Sequence, residues 1–212
     1  MITADRFVAR SSDRVAWLEA RRNSISATTV AKACTPAGFR QVIEDMVTPR
    51  EIVPNDVMRW GVEREPFIAQ RVKELMGIMP NDWLISYDAG TRAWMTATPD
   101  GLSLDHTKIG EYKTSGKPLD QIPVHYLRQV QWQLHVTGAE RCLFAYELRL
   151  ERDGKFYPGI DIETQWVDRD EKMIKELVSV AEQLQQNLVY RDWDEMQMIE
   201  SEWGEAPREE MK

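Results

Sequence analysis

The feature that most constrains this 212-residue chain is a change of hydrophobic period near residue 80. Upstream, residues 56–76 set Gly61, Glu65, Ile68, Val72, Leu75 and Met76 on one face of a 3.6-residue period, which predicts a helix. Downstream, WLISY at 83–87, RAWMTAT at 92–98 and IGEYKT at 109–114 read as strands. Helical spacing returns over 122–137, RCLFAYELR at 141–149 alternates as a strand, and one further strand falls within 156–167. A chain that runs helices, clustered strands, helix, strands, helix builds an α/β fold, a central sheet flanked by helices. Three short helices precede it: one over 12–23 capped at Ser12 or Asp13, one after Ser26, and one near 38–47. Pro66 interrupts the 56–76 stripe, so that helix is expected to kink or restart there. The last helix has the clearest start, with Asp168 and Glu171 in capping-box spacing before Ile174, Leu177, Ala181 and Leu184.

Composition narrows the class. The net charge is −8, but residues 191–212 hold eight acids against three bases, so this acidic tail carries −5 and residues 1–190 only −3. The first fifty residues reverse the balance, with eight Lys/Arg against five Asp/Glu, which is compatible with a local basic surface on an acidic protein. We expect one domain over 1–190 followed by the tail. No run approaches the roughly 20 apolar residues of a membrane span, and the N-terminus MITADRFVAR lacks an apolar leader core. Cys34 and Cys142 stand alone, which suits a reducing cytoplasm and excludes a four-thiolate zinc or iron–sulfur site. The three histidines show no ligand spacing, and the eight tryptophans are expected in the core.

Chemistry concentrates in a short segment. Pro99-Asp100-Gly101 is a turn signal, and eleven residues after Asp100 come Glu111 and Lys113, two apart on a strand and therefore on one face. Gly110, Tyr112 and Thr114 face the other way. If a hairpin brings Asp100 to that face, two carboxylates and an ammonium converge, and the acids repel unless a cation lies between them. A hard divalent ion with oxygen ligands, magnesium above all, fits such a set and can activate water against a phosphoryl group. The competing reading is a common turn beside a solvated strand face. Glu65, on the stripe of Ile68 and Val72, should point inward, either as a further carboxylate of the site or as the partner of an arginine. Gln129 and Gln133 lie one turn apart with Gln131 on another face; either a site amide or a polar helix face would give this pattern.

These residues carry a family resemblance. Gly61-x-x-x-Glu65-Pro66, ThrProAspGly at 98–101, Glu111-Tyr112-Lys113 and GlnValGln at 129–131 resemble the PD-(D/E)XK nucleases. Within these the chain is most similar to the phage lambda exonuclease type, the YqaJ-like viral recombinase group. Trp17, Arg21, Ile25, Ala27 and Thr28 match that group's upstream signature, and ValThrGly at 136–138 and ValAspArgAspGluLys at 167–172 fit downstream. The resemblance implies a restriction-endonuclease-like core with a central mixed sheet. It implies 5′-to-3′ digestion of one strand of duplex DNA ends, dependent on Mg²⁺, with Mn²⁺ as a substitute and two ions per site. It also implies a ring-shaped homotrimer, a single-strand annealing protein as partner, and a bacterial host cytoplasm as location. Carried over residue by residue, Asp100, Glu111 and the Tyr112 carbonyl hold metal, and Glu65 holds it directly or through water. Lys113 is the catalytic lysine and Gln129 the motif glutamine. Arg21 and Thr28 match the 5′-phosphate positions, where Thr28 replaces the group's usual serine. Rival expectations are an endonuclease or resolvase of the same superfamily, or an inactive DNA-binding or assembly module.

Overall fold

A computed structural model of the protein describes residues 1–22, 24–48 and 53–203, with 189–203 described as backbone. The N-terminal part carries β1 (Phe7–Arg10), then the helices α1 (Arg14–Arg22), α2 (Ala27–Ala33), α3 (Pro36–Val47) and α4 (Asp56–Met76). Short strands follow, β2 (Met79–Pro80), β3 (Trp83–Ser86), β4 (Thr96–Ala97) and β5 (Gly101–Leu102), before the longer β6 (Lys108–Ser115). After α5 (Val124–Thr137) come β7 (Arg141–Arg152), β8 (Lys155–Asp168) and α6 (Glu171–Trp203). Two sheets result. One is antiparallel, in the order β1-β3-β4; the other is mixed, in the order β2-β5-β6-β7-β8, with β6 and β7 parallel. The α/β class with a central mixed sheet flanked by helices is the observed architecture.

Local chemistry explains most boundaries. Ser26, Thr35 and Asn55 cap α2, α3 and α4 by accepting from backbone N–H groups three residues on. Gly77 and Gly138, both left-handed, end α4 and α5. Asp153 and Gly154, both at positive φ, make the two-residue turn between β7 and β8, the backbone that an Asp-Gly pair favours in a hairpin.

Several expectations are corrected. RAWMTAT yields only the two residues of β4, because residues 91–94 form a turn. Pro66 does not restart α4, which runs as one helix from Asp56 to Met76. Proline removes the bond to the carbonyl of Val62, four residues back, and Val62 lies on the exposed side where water can replace the lost partner. Asp170, not Asp168, caps α6: its Oδ1 accepts from the N–H groups of Lys172 and Met173, while Asp168 ends β8 and pairs with Arg141 at 3.1 Å. β7 and β8 run to the Asp-Gly turn and are longer than the alternation alone suggests. Helix α6 continues beyond residue 190 to Trp203, and the rest of the expected acidic tail, 204–212, lies outside the described residues.

The larger core joins α2, α5 and α6 to β3, β4 and β7 around Trp132, Phe144, Ile25, Met95 and Leu134. The indole N–H of Trp132 donates to the Thr96 carbonyl at 2.9 Å, so this wholly buried ring leaves no polar atom unpaired. A smaller core under α4 gathers Ile68, Ala69, Val72, Ile78, Tyr112, Leu143 and Ala145. The mixed sheet separates the two layers, and β6 lies at its centre.

Candidate active site

β6 positions two layers of side chains at once. Tyr112 packs under α4, where its ring lies over Gly101 and Gly110; a Cβ on Gly110 would sit 2.6 Å from the Tyr112 hydroxyl oxygen. Glycine there admits the ring. Glu111 and Lys113 project from the opposite face toward α5, and Glu111 is almost fully buried. Period two therefore holds along β6, as the sequence predicts.

Asp100 reaches the same point by a route that the sequence does not reveal. Pro99-Asp100 is not a turn closing a hairpin between β4 and β6. It leads the chain from one sheet into the other, and Asp100 immediately precedes β5. β5 pairs with β6 only at Gly101↔Gly110 and Leu102↔Ile109, so the edge of β6 is unpaired from Glu111 onward. Asp100 fills that edge: its Oδ2 accepts from the Tyr112 backbone N–H at 2.6 Å. A residue's N–H and C=O leave an extended strand on the same side, which turns the Tyr112 carbonyl toward the same open edge. Asn81 secures the approach, donating its backbone N–H to the Asp100 carbonyl at 2.9 Å and its side-chain Nδ2 to the Pro99 carbonyl at 2.8 Å.

A cleft of about 520 Å³ opens over this edge. Asp100, Glu111, Tyr112, Lys113, Glu65, Gln129, Arg21 and Thr28 all line it, so every candidate from the sequence reaches one cavity. Their environments differ. Lys113 Nζ pairs with Glu111 Oε1, and Gln133 Nε2 donates to Glu111 Oε2 at 2.7 Å. Glu65 follows the α4 stripe, one turn before Ile68 and Ala69, but the sheet gives way to the cleft beneath it. Its side chain is exposed at the cleft wall and does not turn into the core as expected. The buried acid–arginine pair is one residue earlier, between Arg64 and Glu147 of β7, with two bonds of 2.8 Å. Arg21 lies 4.2 Å over the Trp17 ring and donates to Ser26 Oγ at 3.3 Å, while Thr28 is exposed at the second position of α2.

Of the three glutamines, Gln131 leaves the site. Its Nε2 donates to the Asp168 carbonyl and its Oε1 accepts from the Asp170 N–H, both at 2.8 Å, tying α5 to the junction of β8 and α6. Gln129 and Gln133 face the cleft. Sequence reasoning missed the bond from Gln133 to Glu111, although the four-residue spacing from Gln129 was visible. It also missed Asn81 and Tyr126, whose ring lies 5.5 Å from Lys113 Nζ.

The electrostatics are unbalanced. Burial, then the Glu111 charge, pushes the Asp100 carboxyl well above the usual carboxylate range; Glu65 adds to this, while Lys113 and the Tyr112 N–H oppose it. The cleft walls shield the Glu65 carboxylate enough that desolvation is the largest cause raising it, with Lys113 lowering it and Glu111 raising it. Burial would lower the Lys113 ammonium, but the charges of Glu111 and Asp100 outweigh it and hold the group above its ordinary value. Among the described residues no three His, Cys, Asp or Glu side chains converge as a cage for a metal ion. A buried carboxylate, Glu111, beside the half-buried Asp100, whose charge it opposes, nevertheless fits a hard cation that takes one or two carboxylates and completes its shell with water and backbone oxygen, as magnesium does.

The fold defines the class first. The chain is similar to the crystal structure of an alkaline exonuclease from Laribacter hongkongensis, with a TM-score of 0.62 and 24% identity over 86% of this chain and 98% of that one. A complex of the Laribacter enzyme with dAMP gives a TM-score of 0.60. A phage-related exonuclease from Haemophilus somnus gives 0.59 at 15% identity over 79% of this chain and 96% of that one. At these identities the likeness shows the fold, which is restriction-endonuclease-like. Residues 16–140 match the YqaJ-like viral recombinase domain, and the chain belongs to that family. No curated protein sequence matches it.

Proposed function

We propose that this protein is a divalent-metal-dependent exonuclease that degrades one strand of linear duplex DNA in the 5′-to-3′ direction, in the service of single-strand-annealing recombination. Family membership and fold support a deoxyribonuclease. The observation that carries the finer reading is the cleft in which Asp100, Glu111 and Lys113 meet at the unpaired edge of β6. Asp100, Glu111 and the Tyr112 carbonyl would hold the cation, with Glu65 joining directly or through water, and two ions per site are expected. Mg²⁺ is the expected metal and Mn²⁺ a substitute. Bound there, the cation supplies Lewis-acid polarisation of a phosphoryl oxygen. Lys113 orients the attacking water and offsets charge that grows on the phosphate. Gln129 positions the phosphate or the water without adding charge.

Arg21 and Thr28, across the cleft, form the pocket for a terminal 5′-phosphate. Among the described residues no carboxylate pairs with Arg21, and the charge of Arg14 opposes it, which favours an anionic ligand. A homotrimeric ring around the duplex would let a chain of net charge −8 stay on DNA, since only the lumen needs positive charge. An annealing protein would take up the strand that is left, in the cytoplasm of a bacterial host. Among the described residues no helix is long and apolar enough to cross a membrane.

The test compares linear and covalently closed circular duplex DNA with Mg²⁺. An exonuclease consumes only linear DNA, and one with this pocket consumes 5′-phosphorylated ends faster than 5′-hydroxyl ends. Nicking of the circle would assign an endonuclease instead, and binding without cleavage would assign an inactive module.

A further inference from the structure

One buried amide in the cleft has one end engaged and the other free. Gln133 is 4% exposed. Its Nε2 donates to Glu111 Oε2 at 2.7 Å, while its Oε1 is shielded from solvent and has no hydrogen-bond partner. A buried carbonyl without a donor is costly, and the neighbouring positions of α5 show that apolar side chains are accommodated there, since Val130, Trp132 and Leu134 are fully buried. Gln131 provides the contrast on the same helix. Both ends of its amide are bonded, in a place remote from the cleft.

Glu111 is gripped from two sides. Lys113 Nζ holds Oε1 and Gln133 Nε2 holds Oε2, so the carboxylate cannot rotate without breaking a bond. Each oxygen keeps a lone pair beyond the one engaged. On the main chain, the Thr137 hydroxyl donates to the Gln133 backbone carbonyl at 2.7 Å in the last turn of α5. The amide adds a donor without adding charge, beside two acids and a lysine whose charges already compete.

We infer that Gln133 is a positioning residue of the site: it fixes the orientation of the Glu111 carboxylate for cation binding, and its unpaired Oε1 is the cost of aiming Nε2 at that carboxylate. The inference rests on the reading of this cleft as a metal site. Loss of a group that orients a metal ligand in this way lowers metal affinity by about tenfold to hundredfold.

The experiment is titration of the DNA-free protein with Mn²⁺, followed by the electron paramagnetic resonance of the free ion, for wild type, Gln133→Met, Gln133→Asn and Asp100→Asn, with melting curves in chelator. Gln133→Met fills the space without a donor, and Gln133→Asn keeps an amide too short to reach Glu111. Both are expected to melt as folded proteins and to bind Mn²⁺ about tenfold to hundredfold more weakly than wild type. If Gln133→Met does not fold, Gln133→Asn gives the reading. Wild-type affinity in the Gln133 variants, with affinity lost in Asp100→Asn, would overturn the role of Gln133 and leave the metal site standing. No Mn²⁺ binding by the wild type would remove both.

Discussion

Two buried glutamates on neighbouring strands behave in opposite ways. Glu147 of β7 and Glu111 of β6 are both under 5% exposed, on strands that pair in parallel. Glu147 meets a guanidinium fork, two parallel bonds of 2.8 Å from Arg64, which is backed by Phe67 at 4.3 Å. Charge and hydrogen bonds balance there, and the pair joins α4 to the sheet. Glu111 shares its surroundings with Lys113, Gln133, Asp100 and Glu65, so one ammonium serves several carboxyl groups. A buried acid that is fully paired is architecture; a buried acid left with a competing acid is the place to look for chemistry.

Substitution should separate the two. The largest effect is expected at the unbalanced acid: Glu111→Ala or Asp100→Ala should lower single-turnover hydrolysis on the order of 10³-fold or more, the loss of several kcal/mol of charge stabilisation. Binding of DNA should persist, since repulsion near the phosphates falls. Full activity of either variant, or of the wild type in chelator, would end the comparison.

Lys113→Ala should follow, at roughly 10²- to 10³-fold in the same assay, with metal affinity little changed. A lysine that only contacts DNA would instead weaken binding and flatten its salt dependence.

Glu147→Ala leaves the half-buried Arg64 guanidinium without its partner and should destabilise the fold by about 2–3 kcal/mol. The readout is denaturant unfolding, with the rate per folded molecule near that of wild type. A collapse of rate without loss of stability would give Glu147 the role assigned to Glu111.

The smallest effect concerns pH in chelator. A carboxyl whose folded-state pKa lies above its unfolded value binds its proton more tightly in the folded protein. The stability it contributes is present in acid and is lost as pH rises through the raised folded value. Asp100 is raised in this way, so the metal-free wild type should melt lower as pH climbs out of the ordinary carboxylate range. Asp100→Asn should flatten that slope, and an equal slope in both proteins would place the titration elsewhere.

Local chemistry was legible from the chain alone. Capping side chains marked the start of α2, helical spacing bounded α4 at both ends, and period two set Glu111 and Lys113 on one face of β6. Each of these follows from neighbours within a few residues, where backbone geometry leaves little choice. The resemblance to the family drew on the same short motifs, and the match over residues 16–140 agrees with it.

What only the tertiary structure decided depends on partners far apart in sequence. That Asp100 caps an unpaired strand edge follows from β5 beginning only at Gly101, opposite Gly110, not from the Pro-Asp-Gly turn signal. That Arg64 takes the buried acid while Glu65 faces the cleft depends on where the sheet stops beneath α4, a matter of packing between elements more than eighty residues apart. Gln131 and Gln133 are alike by composition, and only the placement of β8 and β6 around α5 sends one amide to the α6 junction and the other to Glu111. Sequence spacing sets which side chains share a face; the long-range register of strands and helices sets what that face meets.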